Sequence, residues 1–397
     1  MKKKVILVLM VVAVSMIGGL ASCKGAEPVT SYKIGALVSQ SGNYAGLGLQ
    51  SLEGMQLIVD KINDGGGING IPVELVVYDD KSEATEAALA AKKLIEVDKV
   101  HALVEGTVTA LAMSIVPVAN EAEIPAVIVS GTALLDDQLG DCVFRPMGAE
   151  DDYIITTLDY VSQNLDISKY ATLIENSGYG QGGKVFLPQV SPSYNMTIVE
   201  EQYFDPGASD LTPQLTNIKN SEAQAIYIWG SSPTAAMAIK QAREMGILLP
   251  IIVTPPQLAP SLLESFGQYN EMEPSVIAIT VKMDVWQQLP DSDRDKAICR
   301  EFSELYIEKL GHPPAMWNIL GAQEIMFIED GLKRAKADPT NVEEARSQLR
   351  DALENTKNIR LLTGVYTMSP TDHFGLVYEK SAMTMVTFKD GEMVYLP

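Results

Sequence analysis

The run Gly178-Tyr179-Gly180-Gln181-Gly182-Gly183 has the G-x-G-x-x-G spacing that lets a backbone approach a pyrophosphate. Glu200 and Glu201 follow roughly 20 residues on, where a ribose would need an acid. The helix that such a loop must open is interrupted by Pro188 and Pro192, so dinucleotide chemistry is set aside. Hydrolytic chemistry lacks its signatures, because the chain has no G-x-S-x-G, no S-x-x-K with its companion motifs and no H-E-x-x-H. His101, His312 and His373 are scattered, and Asp372-His373 sits in a turn flanked by proline and glycine, where it reads as turn chemistry. Cys142 and Cys299 lack the Cys/His spacing of a zinc or iron–sulfur site, so no metal, no cofactor and no catalytic residue is expected. An oxidising compartment would permit a disulfide between them, although two buried thiols are the expectation.

One further cysteine carries different chemistry. Lys2, Lys3 and Lys4 precede an apolar run at 5–17, and Leu20-Ala21-Ser22-Cys23 follows. Such a run is too short to span a bilayer comfortably, since that takes roughly 20 apolar residues, and it reads as an export signal over 1–22. The ending resembles a bacterial lipobox, in which Cys23 is acylated and becomes the new N-terminus. Acyl chains contribute about 0.8 kcal/mol per buried CH₂, so a lipidated Cys23 with a tether at 23–31 would anchor the protein to a membrane without crossing it. The expected location is extracytoplasmic, in the periplasm or at the cell surface.

Removing residues 1–22 takes away three lysines and no acid, leaving 27 basic against 51 acidic residues and a formal charge of −24. That surface repels phosphate backbones, which excludes nucleic-acid binding. The remaining 375 residues exceed what one hydrophobic core usually organises, so two lobes are expected.

The elements that must position any site alternate regularly. A buried strand at 32–38 precedes a helix at 45–62 whose Leu49, Leu52, Met55, Ile58, Val59 and Ile62 recur at helical spacing, and Gly65-Gly66-Gly67 stops it. Strands at 73–78, 102–104 and 126–129 alternate with helices at 84–97 and 110–121, the pattern of a parallel sheet covered on both faces. The rhythm repeats with helices at 151–164, 211–220 and 234–245, a short helix start at 183–187, and strands at 170–174, 197–202, 225–229 and 251–253. A strand at 275–281 then crosses back toward helices at 293–310, 317–335 and 342–354. Residues 364–396 alternate as antiparallel edge strands, with a turn at Lys389-Asp390-Gly391.

These residues carry a family resemblance. Gly35-Ala36-Leu37-Val38-Ser39-Gln40-Ser41-Gly42, Gly54, the run from Ile62-Asn63-Asp64 through Gly70-Ile71-Pro72, and Tyr78-Asp79-Asp80 resemble the opening of the type I periplasmic binding proteins. Gly106 to Thr109, Ile124-Pro125, Ser130-Gly131-Thr132, Phe144-Arg145 and Tyr179-Gly180-Gln181-Gly182 extend the similarity to the branched-chain amino acid (Leu/Ile/Val-type) binding proteins of ABC importers. The resemblance implies an α/β fold of two doubly wound parallel-sheet lobes joined by crossing hinge strands, 32–147 plus 282–361 and 148–281 plus 362–397. It also implies a small carboxylate or amino-acid ligand clamped between the lobes by hinge closure, and delivery to an ABC permease. An extracytoplasmic sensor that signals to a receptor is the alternative.

By that resemblance Thr109, with Ala110 at the start of the helix, holds the ligand's carboxylate; a plain helix N-cap is the other role open to Thr109. Gly131 and Thr132 contact the head group, and Tyr179 closes from the second lobe. Trp229 adds an aromatic wall or is simply core. Ser41 and Tyr44 sit at the cleft edge. In amino-acid binders of the family an acid follows the strand at 251–253 and pairs with the α-ammonium, whereas this chain has Thr254-Pro255-Pro256-Gln257. An unpaired buried ammonium is strongly disfavoured, so the expected ligand lacks an α-amine, with Gln257 serving a neutral polar group.

Overall fold

The computed structural model describes residues 31–132, 134, 138–148, 150–377 and 381–397. The export signal and Cys23 lie outside the described residues. Strands β1 (Tyr32–Val38), β2 (Val73–Asp79), β3 (Ala102–Glu105), β4 (Ala126–Ile128) and β5 (Val143–Phe144) form a parallel sheet in the order β2-β1-β3-β4-β5. Helices α1 (Ala45–Asp64), α2 (Ala84–Glu96) and α3 (Thr109–Glu121) make its crossovers. β1, β3 and β4 are buried on both faces, so their apolar residues run on rather than alternate.

The second sheet runs β14-β13-β10-β9-β8-β6-β7. Its parallel part comprises β6 (Lys169–Glu175), β7 (Thr197–Phe204), β8 (Ile226–Trp229), β9 (Ile251–Val253) and β10 (Ile277–Val281). Helices α4 (Glu150–Asn164), α5 (Gly178–Val190), α6 (Thr212–Lys219), α7 (Pro233–Glu244) and α8 (Pro260–Asn270) accompany it. β13 (Met383–Lys389) and β14 (Glu392–Leu396) add an antiparallel hairpin at one edge. Asp390 and Gly391 have φ of 54° and 81°, the two left-handed positions of a tight hairpin turn.

Between β10 and β13 the chain returns to the first lobe as α9 (Lys296–Leu310), α10 (Met316–Ala335) and α11 (Val342–Glu354), followed by the hairpin β11 (Ile359–Leu361) and β12 (Gly364–Tyr366). Contact between α10 and α1 is backbone to backbone. A Cβ on Gly54 would lie 1.9 Å from the Asn318 carbonyl oxygen, and one on Gly321 would lie 2.1 Å from that of Ser51. The buried Arg346 of α11 donates to the Val100 carbonyl at 2.8 Å, fastening the returning helices to the loop before β3.

Two local expectations change, and two elements, β5 and α8, are not expected from the sequence. β5 pairs only two residues with β4, too few to show a pattern. The strand ending at Val281 stays inside the second sheet, between β9 and β13, and the residues after it make the crossing. α8 begins at Pro260 soon after Pro255-Pro256, and proline suits the first helical turn while resembling loop composition in sequence. Helix α5 starts at Gly178, not 183, because the Ser177 hydroxyl caps it by accepting from the Gly180 N–H at 3.1 Å, and it carries Pro188 in its last turns. Cys142 and Cys299 are buried free thiols.

Candidate functional site

The carboxyl ends of both parallel sheets face one another, the position at which open α/β sheets bind ligands. After β3, the loop Gly106-Thr107-Val108 leads into α3, and after β4 the chain passes through Ser130 and Gly131. After β8 comes Gly230-Ser231, and after β9 comes Pro255-Pro256. Thr107, Val108, Thr109, Val129 and Gly131 from the first lobe meet Tyr153, Tyr179, Ser231, Pro255 and Pro256 from the second around a cavity of about 30 Å³. Met147 of the crossing segment and Met316, Trp317 and Leu320 of α10 complete the wall.

Each group is held by a specific support. The Ser130 hydroxyl donates to Thr109 Oγ1 at 3.1 Å. The α3 N-cap is Val108, so Thr109 is not itself the cap, and the first-turn N–H groups beside it point out of the helix. Trp317 Nε1 donates to the Thr107 carbonyl at 2.8 Å, fixing the indole across the floor. Ser231 is held through Glu175, whose carboxylate accepts from the Ser231 N–H and hydroxyl at 3.3 and 3.1 Å and from both donors of Ser232. Glu105 lies beneath Thr107 and accepts its N–H at 3.0 Å. Burial, with Asp80 and Glu324 nearby, pushes the Glu105 carboxyl well above the ordinary range, so it contributes no full negative charge there. Among the described residues the cavity wall itself carries no carboxylate and no cation. It offers hydroxyls and helix N–H groups on one side and aromatic, methionine and proline surface elsewhere.

A model of the periplasmic binding proteins matches residues 31–392. The chain belongs to this family, and to its type I, Leu/Ile/Val-type branch. It is 29% identical over 243 residues to an amino acid binding protein of Pseudomonas aeruginosa, covering 60% of this chain and 63% of that one. Across the curated relatives it matches, the chain spans about six-tenths of their length. Among solved structures, it superposes with a TM-score of 0.76 on the branched-chain amino acid transporter substrate binding protein LivJ of Streptococcus pneumoniae, in complex with isoleucine. The identity there is 26%, over 92% of this chain and all of that one. A solute binding protein of an ABC transporter from Rhodopseudomonas palustris, in complex with benzoate, gives a TM-score of 0.76 at 20% identity, over 92% and 95% of the chains. The family is one of binding proteins rather than enzymes.

In this periplasmic binding protein the sequence-derived candidates separate into three groups. Thr109, Gly131 and Tyr179 reach the cavity. Gly131 is required there, because a Cβ would lie 2.9 Å from the Tyr179 ring, and its carbonyl accepts the Glu150 N–H at 2.8 Å. A second group supports the wall from behind. Trp229 is fully buried, stacks on Tyr179 at 5.3 Å and donates from Nε1 to the Tyr179 carbonyl at 3.1 Å, which places it in the core. Thr132 is buried, and its hydroxyl accepts the Leu134 N–H. Gln257 corrects the sequence expectation most clearly. Its Oε1 accepts from the Thr254 N–H at 3.1 Å and its Nε2 donates to the Gly230 carbonyl at 2.6 Å, so it braces the loop that presents Pro255 and Pro256. The third group lies at the rim. Ala110 sits beside Gly178 of α5, exposed Ser41 donates to Asp79 at 2.7 Å, and buried Tyr44, just before α1, donates its N–H to the Ser82 hydroxyl at 3.0 Å.

Sequence patterns did not indicate Tyr153, Met147, Met316, Trp317 or Leu320. Tyr153 is 2% exposed, and its hydroxyl has no hydrogen-bond partner among the described residues. Burial and the neighbouring Asp152 raise its phenol well above the ordinary value, so it faces the cavity as a neutral donor. Trp317 lies 210 positions from the Thr107 it holds, and no local pattern records that pairing.

Proposed function

We propose that this protein is the extracytoplasmic solute-binding component of an ABC importer, and that it captures a small aromatic or short aliphatic carboxylate without an α-ammonium. Lobes at 32–147 plus 282–361 and 148–281 plus 362–397 would close over the ligand, and a lipidated Cys23 would hold the protein at the membrane. The observation that carries the ligand class is the wall after β9. Pro255 and Pro256 occupy it, and among the described residues no carboxylate faces the cavity. A desolvated ammonium there would lack a counter-charge and bind poorly, whereas a carboxylate would find the Thr109 hydroxyl and the first-turn N–H groups of α3. Aromatic, methionine and proline walls suit an apolar body.

Isothermal calorimetry and thermal shift with benzoate, phenylacetate, isobutyrate and L-leucine test this. A ligand at 100 times its Kd stabilises the native state by about 2.7 kcal/mol, which a melting curve resolves. Binding of the amine-free acids with no response to L-leucine is the expected result. Tight L-leucine binding without a response to the acids would overturn the ligand class while keeping the binding-protein role, and silence across the panel would count against both.

A further inference from the structure

The hydroxyls of the cavity wall differ in where their protons are spent. Thr109 Oγ1 accepts from the Ser130 hydroxyl at 3.1 Å, and Ser130 in turn accepts the Thr132 N–H, so the Thr109 proton is left for the cavity. Thr107 Oγ1 accepts the Ser39 N–H at 3.1 Å and keeps its proton likewise. The Tyr153 hydroxyl is buried without a hydrogen-bond partner among the described residues, so its proton awaits an acceptor from within the cavity.

Ser231 is the opposite case. Its hydroxyl donates to Glu175 Oε1 at 3.1 Å, its N–H donates to Glu175 Oε2 at 3.3 Å, and among the described residues no hydrogen bond ends on its oxygen. A hydroxyl has one proton and two lone pairs, so Ser231, 5% exposed on the cavity wall, has only acceptor capacity left to offer. Glu175 holds it in that state. The Glu175 side chain is fully buried behind the wall, and its Oε2 also accepts the N–H and hydroxyl of Ser232.

We infer that Ser231, positioned by Glu175, is the specificity-determining acceptor of the cavity, and that the ligand is a hydroxy acid. Its carboxylate takes the Thr109 and Tyr153 protons and the first-turn N–H groups of α3, and its hydroxyl gives a proton to Ser231. The inference deepens the proposed function and rests on its amine-free ligand class. An ammonium in the same place would meet a neutral oxygen, with the Glu175 charge behind it already shared among donors from Ser231 and Ser232. A plain acid would leave the Ser231 oxygen buried without a donor, a cost beyond the missing contact itself.

Two series of acids test this by calorimetry on the full chain. The first is 4-methylpentanoate with its 2-hydroxy and 2-oxo derivatives and L-leucine, which differ only at C2. The second is benzoate with its 2-, 3- and 4-hydroxy derivatives. A hydroxyl accepts as an oxo group does, so whatever the donors of the wall add is common to both, and the difference isolates the proton given to Ser231. The favoured hydroxy acid should bind about three- to tenfold tighter than its oxo or unsubstituted counterpart, the span of one net hydrogen bond. In Ser231→Ala that preference should vanish. Glu175→Gln gives a readout that a merely structural role would not move. Because the donors of Ser232 and the Ser231 N–H converge on Oε2, the amide oxygen takes that place and Nε2 donates to the Ser231 oxygen, freeing the Ser231 proton for the cavity. Preference should then pass from the hydroxy acid to the oxo acid.

Equal binding of hydroxy and unsubstituted acids in both series, or a hydroxy preference that survives Ser231→Ala, would overturn the inference while leaving the amine-free class intact. Tight L-leucine binding with the amine-free acids silent would overturn that class and the inference with it, and silence across both series would count against the binding reading as well. If Glu175→Gln does not fold, the Ser231→Ala comparison decides alone.

Discussion

At the scale of single residues, the site is organised by what side chains leave out as much as by what they supply. Gly131 lets Tyr179 approach within what would be 2.9 Å of a Cβ, so Gly131→Ala should push that ring aside. The expected outcome is at least a tenfold loss of ligand affinity by calorimetry, with the melting temperature lowered by only a few degrees, since one displaced ring costs about 1–3 kcal/mol. Asp152 offers a titration test. It is 6% exposed and accepts from the Ser381 hydroxyl at 2.7 Å. Burial raises its carboxyl to about 6, against the opposing effect of that hydrogen bond. The folded state thus holds the proton more tightly than the unfolded chain, so the stability this site contributes is complete below about pH 4 and is lost as pH rises through about 6. Asp152→Asn should flatten urea-derived stability across that window by on the order of 2–3 kcal/mol.

At the scale of elements, helix propensity alone would mislead. Replacing glycine by alanine inside a helix normally stabilises by roughly 0.5–1 kcal/mol. In α5, however, a Cβ on Gly180 would lie 1.7 Å from the Glu175 carbonyl oxygen, and one on Gly182 would lie 1.7 Å from the Glu150 carboxylate. Gly180→Ala should therefore destabilise by about 2 kcal/mol or more in urea unfolding, because a backbone atom is the obstacle and neither element has room to retreat. The same glycines produced the apparent dinucleotide fingerprint. Their spacing records the close approach of α5 to the end of β6, to Glu150 and to the Trp229 ring, with no phosphate needed to account for it.

At the scale of the whole molecule, the proposed function depends on two lobes closing as bodies, and α5 of the second lobe lies against α3 of the first. A Cβ on Gly178 would meet Met113 Sδ at 3.1 Å and Thr109 Cγ2 at 3.2 Å. Gly178→Leu should leave the melting temperature of the unliganded protein within a few degrees of wild type yet weaken ligand binding more than tenfold, since the larger side chain obstructs only the closed form. Small-angle scattering should correspondingly show a smaller radius of gyration on ligand addition in the wild type and no change in the variant.

The sequence by itself determined the alternation of strands and helices, the parallel character of both sheets, the final hairpin with its Asp390-Gly391 turn, and three residues of the cavity, Thr109, Gly131 and Tyr179. The elements are written locally, in periodicity and turn chemistry, and Thr109 in a strand-to-helix loop whose position in an α/β sheet is fixed by topology, whereas Gly131 and Tyr179 were carried by the family resemblance. Only the tertiary structure decided that Gln257 and Trp229 turn away from the cavity, and that Met316, Trp317 and Leu320 line it. Those placements depend on α10 returning across the chain to lie on α1, and on which face of a short loop finds a buried carbonyl to satisfy. Both are settled by close packing and by the need to pair every buried polar group, and neither leaves a periodic trace in the chain.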